Sequence, residues 1–491
     1  MKELQIIYQD QEKIIKKLNT GDVDAIELAV EQTTDEFMIY GLRSGLIDEL
    51  SETFPDPRKE EEISIKLILS ASIAGHFQDM YALSQSPYAL HSPILLAELG
   101  LNVKVLTEGE GVSRRGTRQN APFNGDVIRK MLNKIRPQDL INWYNKNVGR
   151  AYLRQSGYRP SFHILDCTDL EVNLDNENYE GSGIVKRKKK KGGKEEEEIK
   201  RGYKLGSLRS LLDNGGIITG IAFGAINVHD LELCKDLLMS SPMLKAGDTI
   251  LFDRAFLDGI SISRLKRKRH VDVIIPLRSD MLAYEDSLVT AYHSESESWE
   301  KHPRRAGQEI KFIEHVEWMW EGCTVGLNGC VVRYLKEGKD GTEGSQDYEH
   351  TVFVSTNLSL TGKAILEQYE LRSEIEEDHR QWKEGMWDMK VFTSTSLIQI
   401  LYHVICVLLS YNLHQVYTNT EKGERFSEKT LRQIRRDQAR RHEVSMIVYS
   451  EDSYVLIGAK LLIGYLLRLP KEIQMQLYEL FPYELFPSGV G

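Results

Sequence analysis

The sequence predicts an α/β protein: a mixed sheet with helices on both faces, a β-rich insertion, and helical N- and C-terminal regions. Three observations predict it. Between about 160 and 280, short β-branched apolar runs and helix-forming runs follow the order β-β-β-α-β-α-β. From 281 to 350 the chain turns polar and irregular, with short apolar runs such as that at Val331 and Val332. On either side of this middle part, apolar residues recur at spacings of three and four, as in amphipathic helices.

Size and charge bound the answer further. A chain of 491 residues is too long for one compact core, and 41% apolar residues suffice to fill more than one. The balance of 63 basic and 73 acidic residues gives a net charge of −10, so any nucleic-acid contact has to be local. Cysteines at 167, 234, 323, 330 and 406 are odd in number and form no CxxC pair. Neither a disulfide framework nor a zinc site is expected, and a reducing, cytoplasmic setting fits. No signal peptide opens the chain. The apolar stretch 397–411 contains Gln399 and His403 and is short for a bilayer span; a buried helix and no membrane association are expected.

The elements follow in order. Residues 1–155 read as a helical N-terminal region; 62–81 and 126–148 carry the periodicity, and between them a basic loop at 113–118 reads equally as an ordinary exposed loop or a phosphate-contacting one. Residues 156–280 form the first part of an α/β core. Its first strand, from Phe162, is interrupted by Asp166, and a carboxylate in an apolar strand is costly unless paired or metal-bound. Asp169 competes for that role. The run 186–198 sets a block of cations before a block of anions and is expected to be a flexible, solvated loop. A short strand from 248 ends in Asp253, where strand meets loop, with Asp258 as the local rival. In the pair His229-Asp230, Asp230 is read as a helix N-cap. The run 264–269 packs five cations into six positions and is either a solvated face or a DNA-backbone clamp. In the insertion, 281–350, Trp318 and Trp320 share one face if the segment is a strand, and packing into a small local core is expected. Residues 351–395 complete the core. The last region, 396–491, begins with the apolar helix. It holds a basic cluster that includes Arg432, Arg435 and Arg436, and it ends in two amphipathic helices over 443–491.

The segment 369–383 lacks Gly and Pro and predicts one helix. At about 100° per residue, Tyr369, Arg372, Glu376 and Lys383 fall within about 60° of one another. That places a carboxylate between two cations. An ordinary solvated helix with (i, i+4) ion pairs gives the same pattern.

The spacing Tyr369-x2-Arg372-x3-Glu376-x6-Lys383 resembles the signature around the catalytic Glu in DDE transposases of the fourth insertion-sequence family and its relatives. Asp166-Cys167-Thr168 is similar to that family's first motif and Asp253-Arg254-Ala255-Phe256 to its second, with Ala and Phe where Gly and Tyr are usual. The resemblance spans about 160–395. It implies a ribonuclease-H-like core and a catalytic, metal-binding triad of Asp166, Asp253 and Glu376 with two Mg²⁺ or Mn²⁺ ions. It also implies a DNA-binding N-terminal region over 1–155 and DNA contacts by Tyr369, Arg372 and Lys383. Arg254, Arg435 and Arg436 are further DNA-contact candidates, and Trp318, Trp320 or Trp299 a base-stacking one. The implied activity is cleavage at terminal inverted repeats and strand transfer into target DNA, by a homodimer on nucleoid DNA. A catalytically inactive DNA-binding derivative and a plain metal-dependent nuclease are the alternatives.

Overall fold

A computed structural model describes residues 8–9, 11–29, 33–101, 121–191, 194–293, 298–335, 348–383, 387–427, 429–440, 445–451 and 453–481. The chain forms two compact units, one of residues 141–383 and one of 1–140 with 384–491.

The 141–383 unit is built on a ten-stranded mixed sheet. Its strands are β1 (Phe162–Val172), β2 (Gly183–Lys191), β3 (Lys194–Leu211), β4 (Gly216–Ala225), β5 (Thr249–Phe252), β6 (Asp272–Pro276), β7 (Glu300–Lys301), β8 (Gln308–Ile313), β9 (Asn328–Leu335) and β10 (Tyr348–Ser355). They lie in the order β2-β3-β1-β5-β6-β10-β9-β8-β7, with β4 also on β3. Only β1 with β5 and β5 with β6 are parallel. The side chains explain why both faces are covered. Leu165, Ile250, Phe252, Val273 and Ile275 pack into one cluster, and their neighbours Ile164, Leu251 and Ile274 into another. This period of two buries every residue of β5 and β6, as a sheet between helix layers requires. Helices α1 (Asp230–Ser240), α2 (Gly259–Arg264) and α3 (Leu282–His293) supply the first cluster; α4 (Gly362–Glu370) and α5 (Ser373–Lys383) supply the second.

Three expectations change. The described residues of the insertion form no core of their own: β7 to β9 continue the sheet beyond β10, and Val316, Trp320 and Val331 join the first cluster. The charged run is not a solvated loop. Residues 183–191 pair antiparallel with 194–202 as strands β2 and β3, which sets Arg187 in register with Glu198, Lys188 with Glu197 and Lys190 with Glu195. Two blocks of opposite sign lie opposite each other once the chain reverses, and opposite charges across strands are stabilising. The helix over 369–383 is broken. α4 ends at Glu370, α5 starts at Ser373, and the turn between them closes with short-range bonds from the Arg372 N–H to the Tyr369 carbonyl (3.0 Å) and from the Ile375 N–H to the Arg372 carbonyl (3.2 Å).

The other unit joins the chain ends in one four-stranded sheet, ordered Tyr8–Gln9, Ser453–Gly458, Ser445–Ser450, Ala25–Ala29. Residues 445–450 and 453–458 are thus paired strands rather than part of the expected helices. Met446 and Val448 face one cluster, Ile447 and Tyr449 another, a period of two that a helix cannot satisfy. Leu397–Thr418 is a 22-residue helix, the one among the described residues long and apolar enough to cross a membrane; 89% of its apolar window is buried inside the protein. It packs against the helix Ile65–Phe77, where the Tyr402 and Ser72 hydroxyls hydrogen-bond at 2.8 Å. The basic loop at 113–118 lies outside the described residues.

Candidate active site

Two parallel strands bring the Asp residues together. The β1/β5 register pairs Leu165 with Phe252, so Asp166 on β1 and Asp253, just past the end of β5, are the next residues in the two chain segments. Asp166 is 7% exposed, and its Oδ1 accepts the Cys167 N–H at 2.8 Å. Asp253 caps the turn Arg254–Phe256 by accepting the Ala255 N–H at 2.8 Å, while Phe252 and Phe256 stack beneath it at 5.3 Å. The local rivals have structural work. Asp169 is paired with Arg187 (2.6 Å), and Asp258 caps α2 by accepting the Ser261 N–H (2.8 Å).

Glu376 comes from α5, in its first turn. The helix is held to the sheet by Arg209 of β3, whose buried guanidinium reaches Glu374 (2.6 Å) and Asp378 (2.7 Å), two residues either side of Glu376. His379 Nε2 adds a contact to the Ser207 hydroxyl at 3.3 Å. The broken helix puts Arg372 in the turn, and its guanidinium meets all three carboxylates: Glu376 at 2.6 Å, Asp166 at 3.4 Å and Asp253 at 3.8 Å.

Three carboxylates around one guanidinium leave an excess of negative charge. Burial pushes the Asp166 carboxyl up to about 7 against the pull of Arg372, with Asp253 and Glu376 adding to the rise. Burial also raises Asp253. Among the described residues no three acidic, histidine or cysteine side chains are gathered as a ready ion site. What the three do share is hard oxygen donors with too little counter-charge, which is the donor chemistry of Mg²⁺ or Mn²⁺.

A family profile described as "Transposase DDE domain" matches residues 159–413, just over half of the chain, and so covers all three carboxylates. The chain belongs to the DDE transposase family. No curated protein matches it.

Around the carboxylates of the transposase, the structure distributes the remaining candidates unevenly. Tyr369 packs its ring on Phe353 at 4.8 Å, and burial raises its hydroxyl to about 12. Arg254 is exposed beside Asp253. Lys383 closes α5, where its charge acts on His379. Arg436 is exposed on the helix Leu431–Arg440 of the other unit, and the side chain of Arg435 lies outside those described. Trp318 and Trp320 do not share a face, because Val316–Met319 is a turn of 3-10 helix and not a strand. Trp320 is 8% exposed in the core and has no free ring face for a base; Trp318 is 77% exposed and stacks on His315 at 5.4 Å. Trp299 lies under the Arg333 guanidinium at 4.0 Å. The cation run 264–269 is largely spent internally. Lys266 pairs with Asp272 (2.6 Å), Arg267 donates to the Thr324 carbonyl, and Arg269 donates to three carbonyls, Met239, Ser241 and Leu244, at 2.7 Å each. His229, not Asp230, caps α1, and Asp230 pairs with Lys204.

Sequence reasoning missed Arg209. The signal was present: a lone Arg between Leu208 and Leu211 in an apolar strand has to find a buried partner.

Proposed function

We propose that this transposase, of the fourth insertion-sequence family or a near relative, cleaves DNA at the terminal inverted repeats of its element and joins the freed 3′ ends to target DNA. The observation that carries the proposal is the convergence of Asp166, Asp253 and Glu376 on the one Arg372 guanidinium. The β1–β5–β6 arrangement with antiparallel β3 and β4 on its flank supports a ribonuclease-H-like reading of the core. Under that reading 156–280 and 351–395 are the catalytic core and 281–350 its insertion. The flanking regions, 1–155 and 396–491, would carry further DNA contacts such as those of Arg435 and Arg436. Cutting both ends of one element in a single complex calls for a homodimer, acting on nucleoid DNA in the cytoplasm with no membrane involved. The free thiol state of all five cysteines agrees with a reducing compartment.

Asp166, Asp253 and Glu376 would hold two Mg²⁺ or Mn²⁺ ions. When bound, these ions activate a water or 3′-hydroxyl for attack and neutralise the leaving oxygen. The protein's own part is positional. The paired strands fix Asp166 and Asp253 side by side, and Arg209 fixes the helix that presents Glu376. Glu376, with 61% of its side chain exposed, is free to turn toward the two Asp residues. Arg372 is then released from its carboxylates to grip a phosphate through two parallel donors. Tyr369, whose hydroxyl stays protonated at neutral pH, can donate to the same group.

The deciding experiment is Glu376→Ala. It should abolish Mn²⁺-dependent nicking of DNA bearing the element's inverted repeats while leaving binding nearly intact. Undiminished nicking would remove Glu376 from the site. Cutting of DNA that lacks the repeats, with no joined product, would instead identify a plain nuclease. Binding without any cutting by the unaltered chain would identify an inactive derivative.

A further inference from the structure

A cleft of about 840 Å³ opens beside the carboxylates within the 141–383 unit, in the size range of ligand sites. Glu376, Arg372 and Tyr369 line it together with His302, Arg304 and Arg305 from the loop between β7 and β8. Its charges are unequally spent. Each carboxylate in its wall already holds a cation: Glu376 has Arg372 (2.6 Å), Glu374 has Arg209 (2.6 Å), and Glu370 has Arg304 (2.5 Å). Arg305 has no carboxylate partner among the described residues, and it is exposed. The neighbouring histidine is set as a donor. His302 Nδ1 accepts the backbone N–H groups of Arg304 and Arg305, both at 3.1 Å, which leaves Nε2 to carry the proton. Burial and the Arg305 charge both push His302 below its ordinary value, so the ring is neutral at pH 7. The cleft therefore offers one unspent cation and one N–H donor in the same wall as Glu376.

We infer that this cleft is the track for a DNA strand leaving the cut site, with Arg305 and the His302 N–H binding phosphates next to the scissile one. The inference rests on the proposed function, since the strand enters at the carboxylates. A strand backbone fits better than a small anion because the cleft is open, about 840 Å³ in volume, and shares Glu376 and Arg372 with the reaction site. Phosphate contacts of this kind add affinity and fix register without reading sequence.

The test uses the full chain and two fluorescent duplexes cut from the element's end. One is blunt at the cleavage position; the other carries a single-stranded tail of about five nucleotides beyond it, enough to reach successive phosphates. The unaltered protein should bind the tailed duplex about tenfold more tightly, the size of one or two charge-assisted contacts. Arg305→Ala should erase most of that preference and lower the salt dependence of tailed binding by about one phosphate contact, with blunt binding and thermal unfolding unchanged. Arg305→Lys should restore part of it. A tail preference that survives Arg305→Ala, or none in the unaltered protein, overturns the inference. Competition by inorganic phosphate at millimolar levels would reassign the cleft to a small anion and overturn it too. Mn²⁺-dependent nicking by the unaltered protein, read in the same samples, reports separately on the proposed function.

Discussion

Two charged regions of the 141–383 unit look alike as text and differ in what they are for. The run 264–269 is the denser in charge, yet most of it is consumed. Lys266 is paired with Asp272, and Arg269 ties down three carbonyls that would otherwise lack donors. The triad region has fewer charges, spread over three distant segments, and they do not cancel. Asp166, Asp253 and Glu376 share a single guanidinium, and burial holds the Asp166 carboxyl at about 7. A fold tolerates such an imbalance at a functional site and rarely elsewhere. The lesson is to look for charge that stays uncompensated, not for charge density.

The largest expected effect comes from the uncompensated side. Asp166→Asn should cut nicking by about a thousandfold or more, the cost of losing one electrostatic element of a phosphoryl-transfer site. It should also stabilise the fold. The Asp166 carboxyl sits at about 7 in the folded chain against an ordinary value of 3.8. The protonated form is therefore the one folding favours, and the destabilisation grows as pH rises from about 4 through about 7. The unfolding midpoint of Asp166→Asn should exceed that of the unaltered chain at pH 8, by about 2–4 °C for each kcal/mol relieved in a domain of this size. At pH 4 the two should coincide. A variant that loses activity and is also less stable at pH 8 would mean that Asp166 is a well-paired structural residue.

How much of this was legible depended on the kind of signal. Asp166 and Asp253 were readable because each is a carboxylate closing or breaking an apolar run, and strand pairing then does the rest. Arg372 was readable as a neighbour of Glu376 but not as the hub of all three carboxylates. The helix break that moves it into position involves Leu371 and Arg372, residues with no breaking tendency. Trp318 and Trp320 misled for a related reason: their spacing of two has meaning only in a strand, and the backbone there turns. The extension of the sheet through β7 to β9 is a long-range pairing, and no local pattern states which edge a strand will join. The strand pair 445–450 and 453–458 carried its own period of two, hidden because both faces are buried and the run reads as continuous apolar sequence.

On the compensated side, Arg269→Ala should act on stability alone. Its guanidinium satisfies three backbone carbonyls at the end of α1 and after it. Removing it should cost about 1–3 kcal/mol in chemical denaturation, the range for stranded buried acceptors. DNA affinity and its salt dependence should not move. A fall in affinity at unchanged stability would return this run to the list of DNA contacts and blur the contrast.

The smallest effect tests whether the charged β2/β3 pair belongs with the compensated group. Arg187 faces Glu198 across β2 and β3 and also pairs with Asp169 at 2.6 Å, with about half of its side chain exposed. Arg187→Glu would set three acidic side chains together where one cation stood. Exposed pairs are worth about 0.2–1 kcal/mol, and like charges across strands cost a similar amount, so a loss of about 1 kcal/mol is expected. The penalty should shrink at about 1 M salt, where screening acts within about 3 Å. The same substitution should leave binding of inverted-repeat DNA unchanged, because Arg187 is turned to Asp169 of β1. If affinity fell more than stability did, the β2/β3 pair would be a DNA-tracking arm, and its matched blocks of charge would be a way of keeping that arm ordered until DNA displaces the anions.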